Sequence, residues 1–298
     1  MNLLTIIFFD AINYAATLFL LSVGLTVVFG VMRILNVSHG GIYALGAYMG
    51  TWLALWVLEV DLPPVLTYLM LLLGALIVGF LLGPIIERLL LRRIYGSDMH
   101  IQLLLTFSIL LILDDGMKLI WGMEPLFISE PYSMLGRFKV GGIIYPWYDF
   151  VLVGVAVVFG AALVWMVRAT RFGKLVIAVI ADREVSQAIG INVNLIFTVA
   201  FTVGALAAAL GGAFVAPKIA VVPQFALEVV VLAFAVIAIG GMGSIEGAAI
   251  GAIVVSFARA LAIHLAPEVE LMAVYLIMIL VLVVRPQGLF GEVELRRI

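Results

Sequence analysis

Apolar residues fill this chain in long blocks, broken only by short polar stretches. Block length is the main constraint on the fold. At about 1.5 Å per residue, roughly 20 apolar residues make a helix that crosses a hydrocarbon core of about 30 Å. Such blocks lie at Ala11–Met32, Gly41–Leu58, Val65–Ile86, Ile101–Trp121, Phe150–Val167, Leu195–Ala216, Phe225–Ile239, Ala248–Leu265 and Leu271–Val284. Backbone polar groups in lipid must be satisfied within the segment, which selects helices. The expectation is an all-α polytopic membrane protein with about 8–10 transmembrane helices (nine segments, give or take one). Phe225–Ile239 and Leu271–Val284 are short, which allows a re-entrant or tilted piece there.

Composition closes the soluble alternative. Apolar residues make up 65% of the chain and charged residues 11%, against about 45–50% and about 25% in soluble domains. The whole chain, 1–298, reads as one transmembrane domain with no soluble domain attached. A net charge of -2 gives no basic footprint for nucleic acid. There is no cysteine, and His39, His100 and His264 are far apart, so no metal site is expected. The start, "MNLLTIIFFDAINYAATLFLL", lacks a basic region and a small-residue cleavage site, so the first block is expected to stay in the protein. No G-x-x-x-x-G-K-[ST] loop, H-E-x-x-H or G-x-S-x-G motif occurs. The chain is therefore read as non-enzymatic and free of cofactor, with any ATP bound elsewhere.

Lys and Arg mark the cytoplasmic side of membrane proteins. Arg88, Arg92 and Arg93 follow the third block; Arg168, Arg171, Lys174 and Arg183 follow the fifth; Arg285, Arg296 and Arg297 follow the ninth. Arg33 follows the first. All follow odd-numbered blocks, which puts the N-terminus outside and the C-terminus in the cytoplasm. The opposite loops carry Glu59, Asp61, Glu124, Glu130, Asp149, Glu268 and Glu270, with Arg137, Lys139 and Lys218 as exceptions. The outer stretch from Glu124 to Asp149 has the turn residues of a small hairpin.

The polar interruptions hold the candidate functional residues. "RILNVSHGG", Arg33 to Gly41, reads as a tight cytoplasmic-side turn. Asn36, Ser38 and His39 can satisfy its backbone, and Gly40 and Gly41 permit unusual dihedrals. It is either a capped helix–helix turn or a lining element of a substrate passage or inner gate. "GGMGSIEG", with Gly241, Gly243 and Ser244, is its counterpart after the seventh block. Asp114 and Asp115 lie inside the fourth block, where an unpaired charge costs roughly 2.5–3.5 kcal/mol. Lys118 offers a partner four residues after Asp114, and Arg259 in the eighth block a second. The pair is either a structural ion pair or a site for an amino group. Pro217 and Pro223 break the helix ahead of Glu228, leaving a broken segment or an outer loop. Glycines four apart, Gly46/Gly50, Gly79/Gly83 and Gly247/Gly251, suit close helix packing or moving surfaces.

The loop at about 168–194 carries the clearest pattern. In "LVIAVIADREVSQAIGINVN", Ala181, Val185, Ala188 and Ile189 recur at steps of three or four, with Asp182, Arg183, Glu184 and Gln187 polar. That predicts one amphipathic cytoplasmic helix stopped by Gly190. Such a helix suits the membrane surface or a groove in a partner.

"EVSQAIG", Glu184 to Gly190, resembles the degenerate EAA-xxx-G signature of ABC importer permeases. With "GLTVVFGVMRILNVSHGGIYALGAY", "IGGMGSIEGAAIGA" and "RPQGLFG" in order, the chain resembles the shorter permease of branched-chain amino acid ABC transporters over nearly its full length. The resemblance implies a bacterial inner-membrane subunit that moves solute by alternating access. It implies four kinds of partner: a second homologous permease, two cytoplasmic ATPases holding ATP-Mg, a periplasmic or extracellular substrate-binding protein, and membrane lipid. It places ATPase coupling on Asp182, Glu184 and Gly190. Leucine, isoleucine and valine are the implied substrates, with urea, amides and other amino acids carried by similar permeases. The acidic pair at Asp114 and Asp115 departs from the family pattern. It keeps open a proton- or sodium-coupled carrier that uses those two residues as its ion site.

Overall fold

The computed structural model describes residues 3–140 and 143–291; Arg296 and Arg297 lie outside them. All nine apolar blocks are helical. Helices α1 (Leu3–Met32), α2 (His39–Glu59), α3 (Leu66–Leu89) and α4 (Met99–Trp121) come first. The short α5 (Glu130–Met134) and a hairpin of β1 (Arg137–Val140) and β2 (Ile143–Pro146) follow. Then come α6 (Tyr148–Ala169), α7 (Arg171–Ala181), α8 (Arg183–Ala188), α9 (Val193–Val215), α10 (Phe225–Gly240), α11 (Ile245–Leu265) and α12 (Glu270–Val284). Six of these, α1, α2, α3, α6, α9 and α11, are long and apolar enough to cross a membrane. The chain is an all-α, multi-pass membrane protein. The hairpin expected before the fifth block is present, with Arg137 opposite Pro146 and Val140 opposite Ile143.

Helix α9 forms the centre, buried along most of its length between α1, α2 and α3. Lipid supplies no hydrophobic drive between helices, so association depends on close backbone packing. The spaced glycines provide it. Gly46 and Gly50 of α2 lie on Ala209 and Ala213 of α9, and Gly79 and Gly83 of α3 lie on Leu206 and Thr202. A Cβ on Gly46 would sit 2.4 Å from the Ala209 carbonyl oxygen, so even alanine would force the helices apart. Gly247 and Gly251 serve the α10–α11 contact in the same way, against Gly240 and Val236.

The segment after α1 corrects the sequence reading. The turn is present at Val37–Ser38, but the residues before it run back along α1, which a tight turn alone would not do. His39, the first residue of α2, binds the Leu21 carbonyl through Nε2 at 2.8 Å. Leu21 is eleven residues, roughly 16 Å, back from the end of α1. Residues 33–36 are non-helical and 37–38 form a turn; six residues can reach up to about 20 Å, and this stretch climbs back into the bundle. There α2 begins at mid-depth, level with Gly24 of α1 and Gly204 of α9. The Leu35 carbonyl on this climb accepts from the Thr106 hydroxyl of α4 at 3.1 Å.

A second break mirrors the first. After α9, a 3-10 turn at Ala216–Lys218 and extended residues around Val221 lead down to α10. Phe225, at the start of α10, packs on Tyr43 of α2 with ring centroids 6.0 Å apart, and Gly40 lies against Ala226 and Val230. Two helix N-termini therefore meet at mid-depth. This explains why the seventh block is short: α10 crosses only part of the bundle.

Candidate functional site

The first break is polar and, from Asn36 onward, buried. Asn36, Ser38, His39 and Gly40 all lack solvent exposure. The Ser38 hydroxyl donates to Asn36 Oδ1 at 2.5 Å, while Asn36 Nδ2 and His39 Nδ1 are buried without a hydrogen-bond partner among the described residues. Buried polar groups are normally paired, so this element carries unused hydrogen-bonding capacity at the point where α2 and α10 meet.

The counterpart at Gly241, Gly243 and Ser244 lies nearer the bundle end. Gly243 touches Gly30 of α1. Gly241 and Gly243 have φ of 107° and 89°, open to glycine and strained for other residues. Ser244 caps α11 by accepting the Gly247 N–H at 3.0 Å. The "RPQGLFG" stretch closes on this turn: Leu289 and Phe290 donate their N–H groups to the Ile239 and Gly240 carbonyls, both at 2.9 Å. The structure thus places the two Gly-rich motifs at different depths rather than in one layer.

Asp114 is buried and Asp115 is exposed. Lys118 Nζ reaches Asp114 at 2.7 Å and Asp115 at 3.0 Å, the intrahelical pairing expected from the spacing. Asp114 Oδ1 also accepts the Gln224 N–H at 2.9 Å, at the head of α10. Arg259 is not a partner of this pair. It is bound to Glu270 at the start of α12 and stacks 4.0 Å above the Tyr14 ring. Glu228 is exposed in the first turn of α10.

The loop at 168–194 forms two helices rather than one. Asp182 is extended, and its carboxylate accepts the Val185 N–H at 2.9 Å, which stops α7 and caps α8. An aspartate before Arg–Glu is a helix start, and that signal outweighs apolar periodicity. Gly190, with φ of 88°, ends α8, and the Ile191 N–H closes onto the Ser186 carbonyl at 3.0 Å. The expected apolar face points outward: Ala181, Val185, Ala188 and Ile189 are exposed, Ile189 by 70%, while Ser186 faces the bundle. Glu184 is exposed beside them.

A buried carboxylate escaped the sequence reading. Glu87, in the last turn of α3, has no exposure and is held by Arg92, Thr198 and Tyr95. Burial and the Glu87 carboxylate push the Tyr95 phenol above its ordinary range, so it stays a donor. The available signal was one acid at the edge of an apolar block with an arginine five residues on.

The model of the family described as "Branched-chain amino acid transport system / permease component" matches residues 7–282. The chain belongs to that family. As a branched-chain permease component, it is 27% identical to the high-affinity branched-chain amino acid transport system permease protein LivH of Salmonella typhimurium, over 97% of this chain and 96% of that one. It is 26% identical to LivH of Escherichia coli K12 and 25% identical to BraD of Pseudomonas aeruginosa, each with the same coverage. Among solved structures, PsaBC from Streptococcus pneumoniae in complex with Fab matches with a TM-score of 0.50 and 13% identity. That match covers 97% of this chain and 94% of that one, and the likeness is one of fold. In this permease component, then, the polar elements to account for are the mid-depth meeting of α2 and α10 and the outward face of α8.

Proposed function

We propose that this chain is a permease subunit of an ABC importer in a bacterial inner membrane. It moves branched-chain or related amino acids by alternating access, with its C-terminus in the cytoplasm. The observation that carries this is α8 in a chain of this family. It is a short helix capped at both ends, presenting Val185 and Ile189 to the surroundings. Exposed apolar residues on a stiff element mark a contact surface. The partner there is a cytoplasmic ATPase, with Asp182 and Gly190 fixing the helix and Glu184 at the contact. A second, homologous permease subunit completes the pathway, two ATPases hold ATP-Mg, and an external binding protein delivers the substrate.

The mid-depth break is the gate. Asn36, Ser38, His39 and Gly40 form its inner wall, and the unpaired Asn36 Nδ2 and His39 Nδ1 find partners when α2 and α10 move apart. Gly241, Gly243 and Ser244 are the hinge at the far end of α10. Asp114 and Lys118 act as structure, pinning α10 to α4.

The competing reading is a carrier with Asp114 and Asp115 as ion site. Proteoliposomes separate the two. With its partner permease, ATPases and binding protein, the chain accumulates leucine only when ATP is supplied. Alone, under a proton or sodium gradient, it accumulates none. Gradient-driven accumulation by the lone chain overturns the proposal.

A further inference from the structure

Glu87 is a fully buried charge that the gate does not use. Its Oε2 accepts from Arg92 Nη2 at 3.0 Å and from the Thr198 hydroxyl at 2.6 Å, and its Oε1 accepts from the Tyr95 hydroxyl. These groups come from α3, the turn after it and the first turns of α9. Tyr95 stands perpendicular to Phe197 of α9, with centroids 5.0 Å apart. The Arg183 guanidinium lies over both rings, 5.7 Å from Tyr95 and 5.2 Å from Phe197. Arg183 is the first residue of α8.

We infer that Arg183 is the positioning residue through which movement of α8 reaches α3 and α9, with the Tyr95–Phe197 pair and the Glu87 carboxylate as the stiff link. A cation over aromatic faces is held by the ring quadrupoles, so it follows the rings rather than sliding off them. A buried carboxylate held by an arginine and two hydroxyls resists rearrangement, because each bond lost leaves part of a desolvated charge uncompensated. The rings, Glu87 and the helix ends therefore move as a unit. Helices α3 and α9 are in backbone contact through Gly79 and Gly83, so a tilt at this end carries along α9. Gly204 of α9 touches Gly24 of α1 at the level of His39, which is where the gate begins.

The inference rests on the docking of α8 proposed above. It concerns a different face: Val185 and Ile189 meet the ATPase, whereas Arg183 grips the bundle. The assembled transporter in proteoliposomes, supplied with leucine and ATP, tests it through the number of leucines taken up per ATP hydrolysed. Arg183→Ala leaves ATP hydrolysis within about twofold of the parent and lowers leucine per ATP at least tenfold. Arg183→Lys, which keeps a cation over the rings, recovers part of the ratio. Tyr95→Phe, which keeps the ring and drops the bond to Glu87, gives an intermediate ratio. A merely structural arginine would move the melting temperature and leave the ratio alone. An unchanged ratio in Arg183→Ala overturns the inference. Should that variant fail to assemble, unchanged ratios in both Arg183→Lys and Tyr95→Phe overturn it instead. A parent transporter with no ATP-driven uptake removes the docking reading and this inference together. ATP-driven uptake with an indifferent Arg183 removes only the link.

Discussion

Asp114 of α4 accepts the backbone N–H of Gln224 at 2.9 Å, across a sequence separation of 110 residues. The contact sets the head of α10. Gln224 has φ of 74°, a left-handed corner, and the carboxylate sits where the helix dipole favours negative charge. Lys118 balances the charge at 2.7 Å. The buried acid of the pair thus has a packing role, joining α4 to the head of α10.

Asp114→Asn keeps an acceptor for Gln224 and loses only the ion pair. It is expected to retain more than about half of ATP-driven uptake. Asp114→Ala leaves Lys118 with only the exposed Asp115 and Gln224 without its acceptor, and is expected to cost about 1–3 kcal/mol. Uptake assays and thermal unfolding in detergent measure the two effects. Abolished transport in a well-folded Asp114→Asn protein would favour the ion-coupled carrier.

Gly190 is a case where conformation alone decides. No atom of the described residues lies within 4 Å of a Cβ built there, so size is not the obstacle, but φ is 88°. A β-branched residue in the left-handed region costs about 1–2 kcal/mol. Gly190→Val should fray the end of α8 and separate ATP hydrolysis from uptake while membrane insertion persists. Gly190→Asn should behave close to the parent, because asparagine tolerates that region. Equal behaviour of the two variants would argue against a conformational role.

At Gly40 the obstacle is steric. A Cβ would lie 2.2 Å from the Ala226 carbonyl oxygen, which is backbone and cannot swing aside. Gly40→Val is expected to push α2 from α10 and reduce uptake at least tenfold, with the chain still inserted. Uptake near the parental level would remove this contact from the gate.

The absence of cysteine makes orientation directly testable. Glu59→Cys and Glu124→Cys should react with a membrane-impermeant thiol reagent in intact cells. Asp98→Cys and Gln187→Cys should react only after permeabilisation. The reverse pattern would invert the assignment from Lys and Arg.

Much of the fold was legible because apolar length and glycine spacing are local signals. All nine blocks became helices, and Gly46, Gly50, Gly79 and Gly83 mark close contacts with α9. What was missed depends on contacts distant in sequence. Nothing in "RILNVSHGG" says that the chain climbs back to Leu21, because extended and tight-turn paths share the same polar residues. The short seventh block and Pro223 hinted at the matching break at α10. Asp182 was a readable cap, overlooked because apolar periodicity ran through it. Arg259 is paired with Glu270 instead of the acid pair, which spacing along the chain could not reveal. Glu87 was hidden because its partner Thr198 comes from α9.

The central claim is that the driving force enters through the exposed face of α8. Val185 and Ile189 are 56% and 70% exposed, so changing both leaves the bundle intact. ATP-driven leucine uptake by the assembled Val185→Asp, Ile189→Asp double variant, at unchanged melting temperature, is the measurement that tests it. The account predicts uptake below about a tenth of the parental level, with the ATPases no longer retained on the permease, since charge placed in an apolar contact must be desolvated. Parental uptake by that variant, with the ATPases still bound, would contradict it.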